Sequence, residues 1–273
     1  MATRSALVRP LFAFALLALA SFAGSAGLAA PGASCSAESG AQTAALVELY
    51  TSEGCDSCPP ADRWLSASFP PDKTEAGVIA LAFHVDYWDR LGWKDRFASP
   101  AWTARQYALA HAARSSLVYT PQVLLQGRDF PDWRATPKAM AAVAAANARP
   151  ARATIKVQAE PREGAIAVKA TARVPGAADR GGTVLFVGLA DSGLVSEVKA
   201  GENAGKKLRH DHVVRALRDG VPVDRNGSVA ADVVLPFPAE AGTAATVVAF
   251  VQNVDSGDVL QALAVPVACA PAR

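Results

Sequence analysis

Two cysteines three positions apart, Cys55 and Cys58, are the residues best suited to chemistry in this chain. They stand in the stretch Val47-Glu48-Leu49-Tyr50-Thr51-Ser52-Glu53-Gly54-Cys55-Asp56-Ser57-Cys58-Pro59-Pro60. The apolar run 44–50 reads as a buried strand, Gly54 marks a turn, and a helix is predicted over about 61–69. A cysteine at the first turn of a helix meets unpaired N–H groups and the positive end of the dipole, which favour its thiolate. A second cysteine one turn on can resolve a mixed disulfide. The arrangement predicts a reactive dithiol, on the condition that the sulfurs lie at the mouth of the fold. Two other uses of the spacing stand beside it. Half a zinc site would need two more soft ligands at similar spacing, whereas the remaining cysteines, Cys35 and Cys269, are single and distant. A permanently closed, purely structural disulfide is common in exported proteins.

The redox compartment follows from the first 30 residues. Arg4 and Arg9 precede an apolar run over 11–22, too short to span a bilayer, and small residues follow it. Residues 1–30 therefore read as a cleaved export signal, and the mature chain is expected to be periplasmic or secreted, with no transmembrane segment. The formal net charge is +2, and setting Arg4 and Arg9 aside leaves 25 basic against 25 acidic residues. That balance gives no electrostatic footprint for nucleic acid. Four cysteines in an oxidising compartment predict two disulfides, Cys55 with Cys58 and Cys35 with Cys269, the second tying the two ends together.

The elements that must hold the dithiol can be followed along the chain. A second apolar run over 77–85 fits a strand buried on both faces. It ends in His84-Val85-Asp86-Tyr87-Trp88. Ligand sites in open α/β sheets gather at the carboxyl ends of strands, so His84, Asp86 and Trp88 are candidates for the rim of the site. Alternatively, Tyr87, Trp88 and Trp93 simply cover the sheet end. Ser99-Pro100 has the form of a capped helix start. In Tyr119-Thr120-Pro121-Gln122, a proline opens an apolar strand, which a cis Thr120–Pro121 bond would suit. Placed against Cys55, Pro121 would keep metal from the thiols and present the Thr120 backbone to a bound peptide. A helix over 136–148 closes the unit.

This order of elements resembles the thioredoxin fold over residues 44–148. The resemblance implies Cys55 as the attacking thiol, Cys58 as the resolving thiol, Pro121 as the cis-proline and Glu48 as a proton relay. The chain departs from that pattern in lacking a Trp before Cys55 and in placing Pro59-Pro60 directly after Cys58. A closer resemblance rests on the Val47–Asp62 stretch, on His84-Val85-Asp86-Tyr87-Trp88-Asp89 and on Tyr119-Thr120-Pro121-Gln122. On these motifs the chain is similar to an exported bacterial family catalogued as domain of unknown function 1223. That likeness implies a thioredoxin-like domain with a second β-rich part and no assigned activity.

From Arg149-Pro150 the pattern changes to short alternating runs punctuated by turns such as Arg162-Glu163-Gly164 and Asp255-Ser256-Gly257. Such spacing predicts a β-sandwich. The expected architecture is thus an α/β thioredoxin-like domain over 31–150 followed by an all-β sandwich-like domain over 151–273. His210 and His212, two apart, could offer imidazoles to a metal from one face of a strand, but two ligands do not make a site. The duller alternative is a polar strand and loop packed against the first domain.

The leading functional expectation is an exported thiol–disulfide oxidoreductase, or a redox-dependent protein handler, acting on protein thiols or disulfides without a cofactor or metal. The alternatives are a binding module with Cys55–Cys58 as a staple, and copper handling through Cys55, Cys58 and His84. The direction of electron flow and the oligomeric state are not encoded in these motifs.

Overall fold

A computed structural model describes residues 1–2, 35–71, 77–237 and 244–268. Cys269 and all but the first two residues of the predicted export signal lie outside these. Before residue 150 come β1 (Cys35–Glu38), β2 (Ala45–Thr51), α1 (Pro59–Ser68), β3 (Val78–His84), α2 (Pro100–Ala112), β4 (Gln122–Leu125), β5 (Arg128–Asp129) and α3 (Thr136–Asn147). Then come β6 (Thr154–Arg162), β7 (Ala165–Arg173), β8 (Thr183–Ser192), β9 (Leu194–Glu197) and β10 (Lys207–His210). The chain continues through β11 (Val213–Leu217), β12 (Val221–Pro222), β13 (Ser228–Pro236), β14 (Ala244–Asn253) and β15 (Val259–Pro266). No helix among the described residues is long and apolar enough to cross a membrane.

The expected α/β thioredoxin-like domain followed by a β-sandwich is corrected here. The fold is β-rich, with 15 strands against three α-helices among the described residues. Strands from both halves share one nine-stranded sheet, in the order β15-β14-β8-β11-β3-β2-β4-β5, with β12 paired to β8. The seam is β11, which runs parallel to β3 where Val213 meets Ala82. There the Ala82 N–H donates to the His212 carbonyl at 2.8 Å. A second sheet, β1-β6-β7-β13, pairs the first strand with strands of the second half. Alternation within a strand sets which side chains face the core, but not which distant strand lies alongside it.

The local signals explain the elements themselves. β2 is buried along its whole length, as a strand apolar on both sides of Glu48 requires between two covered faces. Ala45, Val47 and Leu49 pack with Ala61 and Leu65 of α1 and Val143 and Ala146 of α3. Leu46 and Tyr50, on the other face, pack with Trp102 and Leu109 of α2 and with Val248 and Phe250 of β14. A third core lies between the four-stranded sheet and β8, β14 and β15, joining Ile155, Ile166 and Leu235 to Leu185, Leu189 and Val247. α2 begins as its sequence indicates, with the Ser99 hydroxyl accepting from the Ala101 N–H at 3.2 Å and Pro100 in the first turn. The β4–β5 turn needs a glycine. Gly127 has φ +76°, and a Cβ there would stand 1.9 Å from the Gly257 carbonyl oxygen.

Candidate functional site: a covered disulfide over a buried ionisable cluster

Cys55 and Cys58 are joined in a disulfide. Cys58 is the N-cap of α1, and Pro59 and Pro60 open the helix. Neither proline has an N–H, and the next two donors, from Ala61 and Asp62, both go to the Cys58 carbonyl at 2.8 and 3.1 Å. The helix end therefore lacks the free N–H groups expected to hold a thiolate at Cys55. Side-chain hydroxyls stand there instead. Thr120 Oγ1 is 3.5 Å from Cys55 Sγ, and Ser57 Oγ is 3.4 Å from it. The Thr120 hydroxyl in turn accepts from Trp88 Nε1 at 2.8 Å. The Thr120–Pro121 bond is cis. The structure thus brings Cys55, Cys58, Thr120, Pro121 and Trp88 together.

The sulfurs, however, do not lie at the mouth of the fold. Cys55 and Cys58 are both 0% exposed, although Asp56 and Ser57 between them are exposed. The loop between β9 and β10 is fastened to the cysteine turn. Asn203 is fully buried, and its side-chain amide donates to the carbonyls of Glu53 and Cys55 at 2.8 and 2.9 Å. Glu202 accepts from the Asp56 N–H at 3.1 Å.

Glu48 sits elsewhere. Its carboxylate takes two hydrogen bonds from Arg105 of α2, at 2.9 and 2.7 Å, on the sheet face opposite α1. Asp86 is also held by α2, accepting from the Thr103 hydroxyl at 2.5 Å. The carboxylates near the disulfide are different ones: Glu53, two residues before Cys55; Asp62, four after Cys58; and Asp95. They share a buried space with His84 and His210. His84 Nδ1 lies 2.6 Å from Asp95 Oδ2, and the two imidazoles are 5.0 Å apart, edge to face. His210 Nε2 lies 3.2 Å from Glu53 Oε1, and His84 Nε2 has no hydrogen-bond partner among the described residues. Glu53 Oε2 accepts from Trp93 Nε1 at 2.7 Å, and Asp95 Oδ2 accepts from the Glu53 N–H at 2.9 Å.

Environment sets the charges. Burial alone would raise the Glu53 carboxyl, but His210, Ser196 and Trp93 override it and hold it below the usual range. Burial also opposes ionisation of Asp95, yet the His84 charge and two backbone N–H groups pull it down. Burial would lower His84, and Asp95 reverses that, leaving it raised. Asp62 is raised by burial, partly opposed by the two histidines.

A pH dependence follows. The raised His84 contributes stability that is full below its unfolded pKa of about 6.5 and is lost as pH rises through the folded value. The lowered Glu53 and Asp95 contribute stability that is full above about pH 4.5 and lost as pH falls through their folded values. Asp62 acts in the opposite sense, its contribution fading as pH rises. Urea midpoints followed from pH 6 to 9 are expected to decline in the native protein and to flatten in Asp95→Asn. An unchanged slope would show that Asp95 does not hold the His84 proton.

Sequence reasoning found His84 but gave it a place on the rim, and it missed Glu53, Asp62, Asp95 and Asn203. Asp95 and Asn203 stand in loops with no periodic pattern, and no local signal marks them. His210 and His212 diverge. His210 enters the cluster, whereas His212 Nε2 lies 2.6 Å from the Phe69 carbonyl oxygen. No group of three His, Cys, Asp or Glu side chains among the described residues is arranged to hold a metal ion. Cys35 is buried and disulfide-bonded, and its expected partner, Cys269, lies outside the described residues.

A chain of this kind, a β-rich fold around a short-spaced disulfide, has relatives. Residues 46–252 match the family described as Protein of unknown function (DUF1223), and the chain belongs to that family. It is similar to the X-ray crystal structure of protein AGR_C_4864 from Agrobacterium tumefaciens, at 27% identity and a TM-score of 0.54, over 82% of this chain and 94% of the other. It is also similar to HBP35 of Porphyromonas gingivalis, at 16% identity and a TM-score of 0.59, over 83% of this chain and 76% of the other. At that identity the second likeness is one of fold alone. No curated protein matches the chain.

Proposed function

We propose that the protein is an exported thiol–disulfide exchange protein whose Cys55–Cys58 couple opens and closes against protein thiols or disulfides. One observation carries this reading. The disulfide links residues three apart, a loop so short that its closure contributes only about 2 kcal/mol in the entropic account. Yet the chain buries ionisable side chains of Glu53 and Asp62, which flank the pair in sequence, together with His84, Asp95 and His210, each at a desolvation penalty. A staple has no need of such surroundings, whereas a couple that takes up and releases protons has. The export pattern of residues 1–30 and the disulfide itself support a periplasmic or secreted setting.

The exchange balances as follows. A partner thiolate attacks Cys55 Sγ, the Cys55–Cys58 bond breaks, and Cys58 leaves as a thiolate that takes a proton. A second partner thiolate then attacks the partner sulfur of the mixed disulfide, and Cys55 leaves as a thiolate beside the Thr120 hydroxyl. The partner is oxidised to a disulfide and the couple reduced to a dithiol; the reverse sequence oxidises a partner. Burial of both sulfurs requires the cover to open first, and that same burial favours the second reading, an inert staple in a binding protein. Incubation of the folded protein in glutathione redox buffers separates the two. Reversible interconversion of dithiol and disulfide is expected, and a disulfide that stays closed in reduced glutathione would contradict the proposal.

A further inference from the structure

We propose that the tip of the β9–β10 hairpin, residues 198–206, is a lid over the Cys55–Cys58 disulfide, and that it stands in for the partner polypeptide that must displace it. This inference rests on the exchange reading above for its purpose, though not for its geometry.

The hairpin stands outside both large sheets, anchored near its base by the buried His210 of β10. β9 and β10 pair with each other and with neither large sheet. At its base the chain passes through two residues in the left-handed region, Gly193 at φ +78° between β8 and β9 and His212 at φ +60° between β10 and β11. Turns at element ends are where hinge motions are absorbed. The tip is held together by its own backbone hydrogen bonds, Val198 N–H to the Lys206 carbonyl and Gly205 N–H to the Val198 carbonyl, both 2.9 Å, so it can shift as one piece.

Its hold on the disulfide is made by side chains at the tip. The Asn203 amide supplies donors to the Glu53 and Cys55 carbonyls, and Glu202 supplies an acceptor to the Asp56 N–H. Two donors into carbonyls and one acceptor for an N–H are what an extended polypeptide backbone offers. Lifting the tip would leave those three backbone groups of the cysteine loop open to such a segment, beside the sulfur it would exchange with. Gly201 sets how close the lid sits. Its φ is +73°, and a Cβ there would stand 3.2 Å from Trp93 Cβ.

The test is the rate at which a phosphine reductant, tris(2-carboxyethyl)phosphine, opens the disulfide in the folded full chain, read by alkylation and mass. With a lid, the native rate lies below that of the two variants at every phosphine concentration. Asn203→Ala removes both donors and is expected to raise the rate at least about tenfold. Gly201→Ala, which pushes the tip from Trp93 and spares Asn203, is expected to raise it in the same direction. Global stability is followed in parallel by urea unfolding. Equal rates in all three proteins, or a rise that merely tracks lost global stability, would each overturn the lid. A strongly reducing potential for the couple would overturn the exchange reading and leave the lid standing; equal phosphine rates with an accessible potential would do the reverse.

Discussion

Replacing Arg105 with alanine is expected to destabilise the fold by about 3–5 kcal/mol, the cost of stranding one partner of a buried ion pair. The Arg105 side chain is 9% exposed and that of Glu48 is 0% exposed. The guanidinium also donates to Gln252 of β14 at 3.0 Å. It lies 5.5, 5.1 and 5.1 Å from the ring centres of Phe83, Phe186 and Phe250, within cation–π range. Three elements from both halves, β2, α2 and β14, meet at this one side chain. Without it the Glu48 carboxylate keeps no charged partner, and Glu48 Oε2 already has no hydrogen bond among the described residues. The double variant Glu48→Leu with Arg105→Met is expected to recover most of the loss, since well-packed apolar residues often replace a buried pair at little cost. Urea denaturation checks both, and a loss below about 1 kcal/mol in Arg105→Ala would show that the pair is solvated in solution. The same pairing explains why Glu48 is a poor choice for a proton relay at the cysteines.

The second large effect concerns the sulfurs. Cys55→Ser is expected to reduce exchange to background, and Cys58→Ser to accumulate a single glutathione adduct at Cys55. The asymmetry comes from position. Cys58 caps α1 beneath the turn, with its carbonyl occupied by two helix N–H groups. Cys55 faces Thr120 and Ser57, whose hydroxyls can donate to a thiolate. Removing the resolving thiol should leave the mixed disulfide with nothing to release it. Equal adduct yields in the two variants would show that attack does not distinguish the sulfurs.

Much of the local structure was legible in the sequence, because local rules wrote it. The apolar run before Thr51, broken only by Glu48, marked a strand covered on both faces. Ser99-Pro100 marked a helix start, Thr120-Pro121 marked a special bond, and Glu163-Gly164 marked the β6–β7 turn, where Gly164 takes φ +65°. The architecture was less legible. Nothing in 213–217 says that it will lie beside β3, and nothing in 35–38 says that β1 will pair with β6. Those choices are settled by long-range burial that no single strand encodes. The site shows the same division. The cysteine pair and Thr120-Pro121 were readable from spacing. The carboxylates around His84 come from turn, helix and loop positions that share no pattern, and the asparagine that reaches the site from about 150 positions away depends on the seam between halves.

The central claim is that Cys55 and Cys58 form a working couple rather than a fixed link. The most direct measurement is its reduction potential, from equilibration of the folded protein with defined thiol–disulfide buffers. A value above about −300 mV, in the range spanned by exchange proteins, is predicted; a value below about −300 mV would mark a structural bond that physiological thiols leave closed, and would contradict the account.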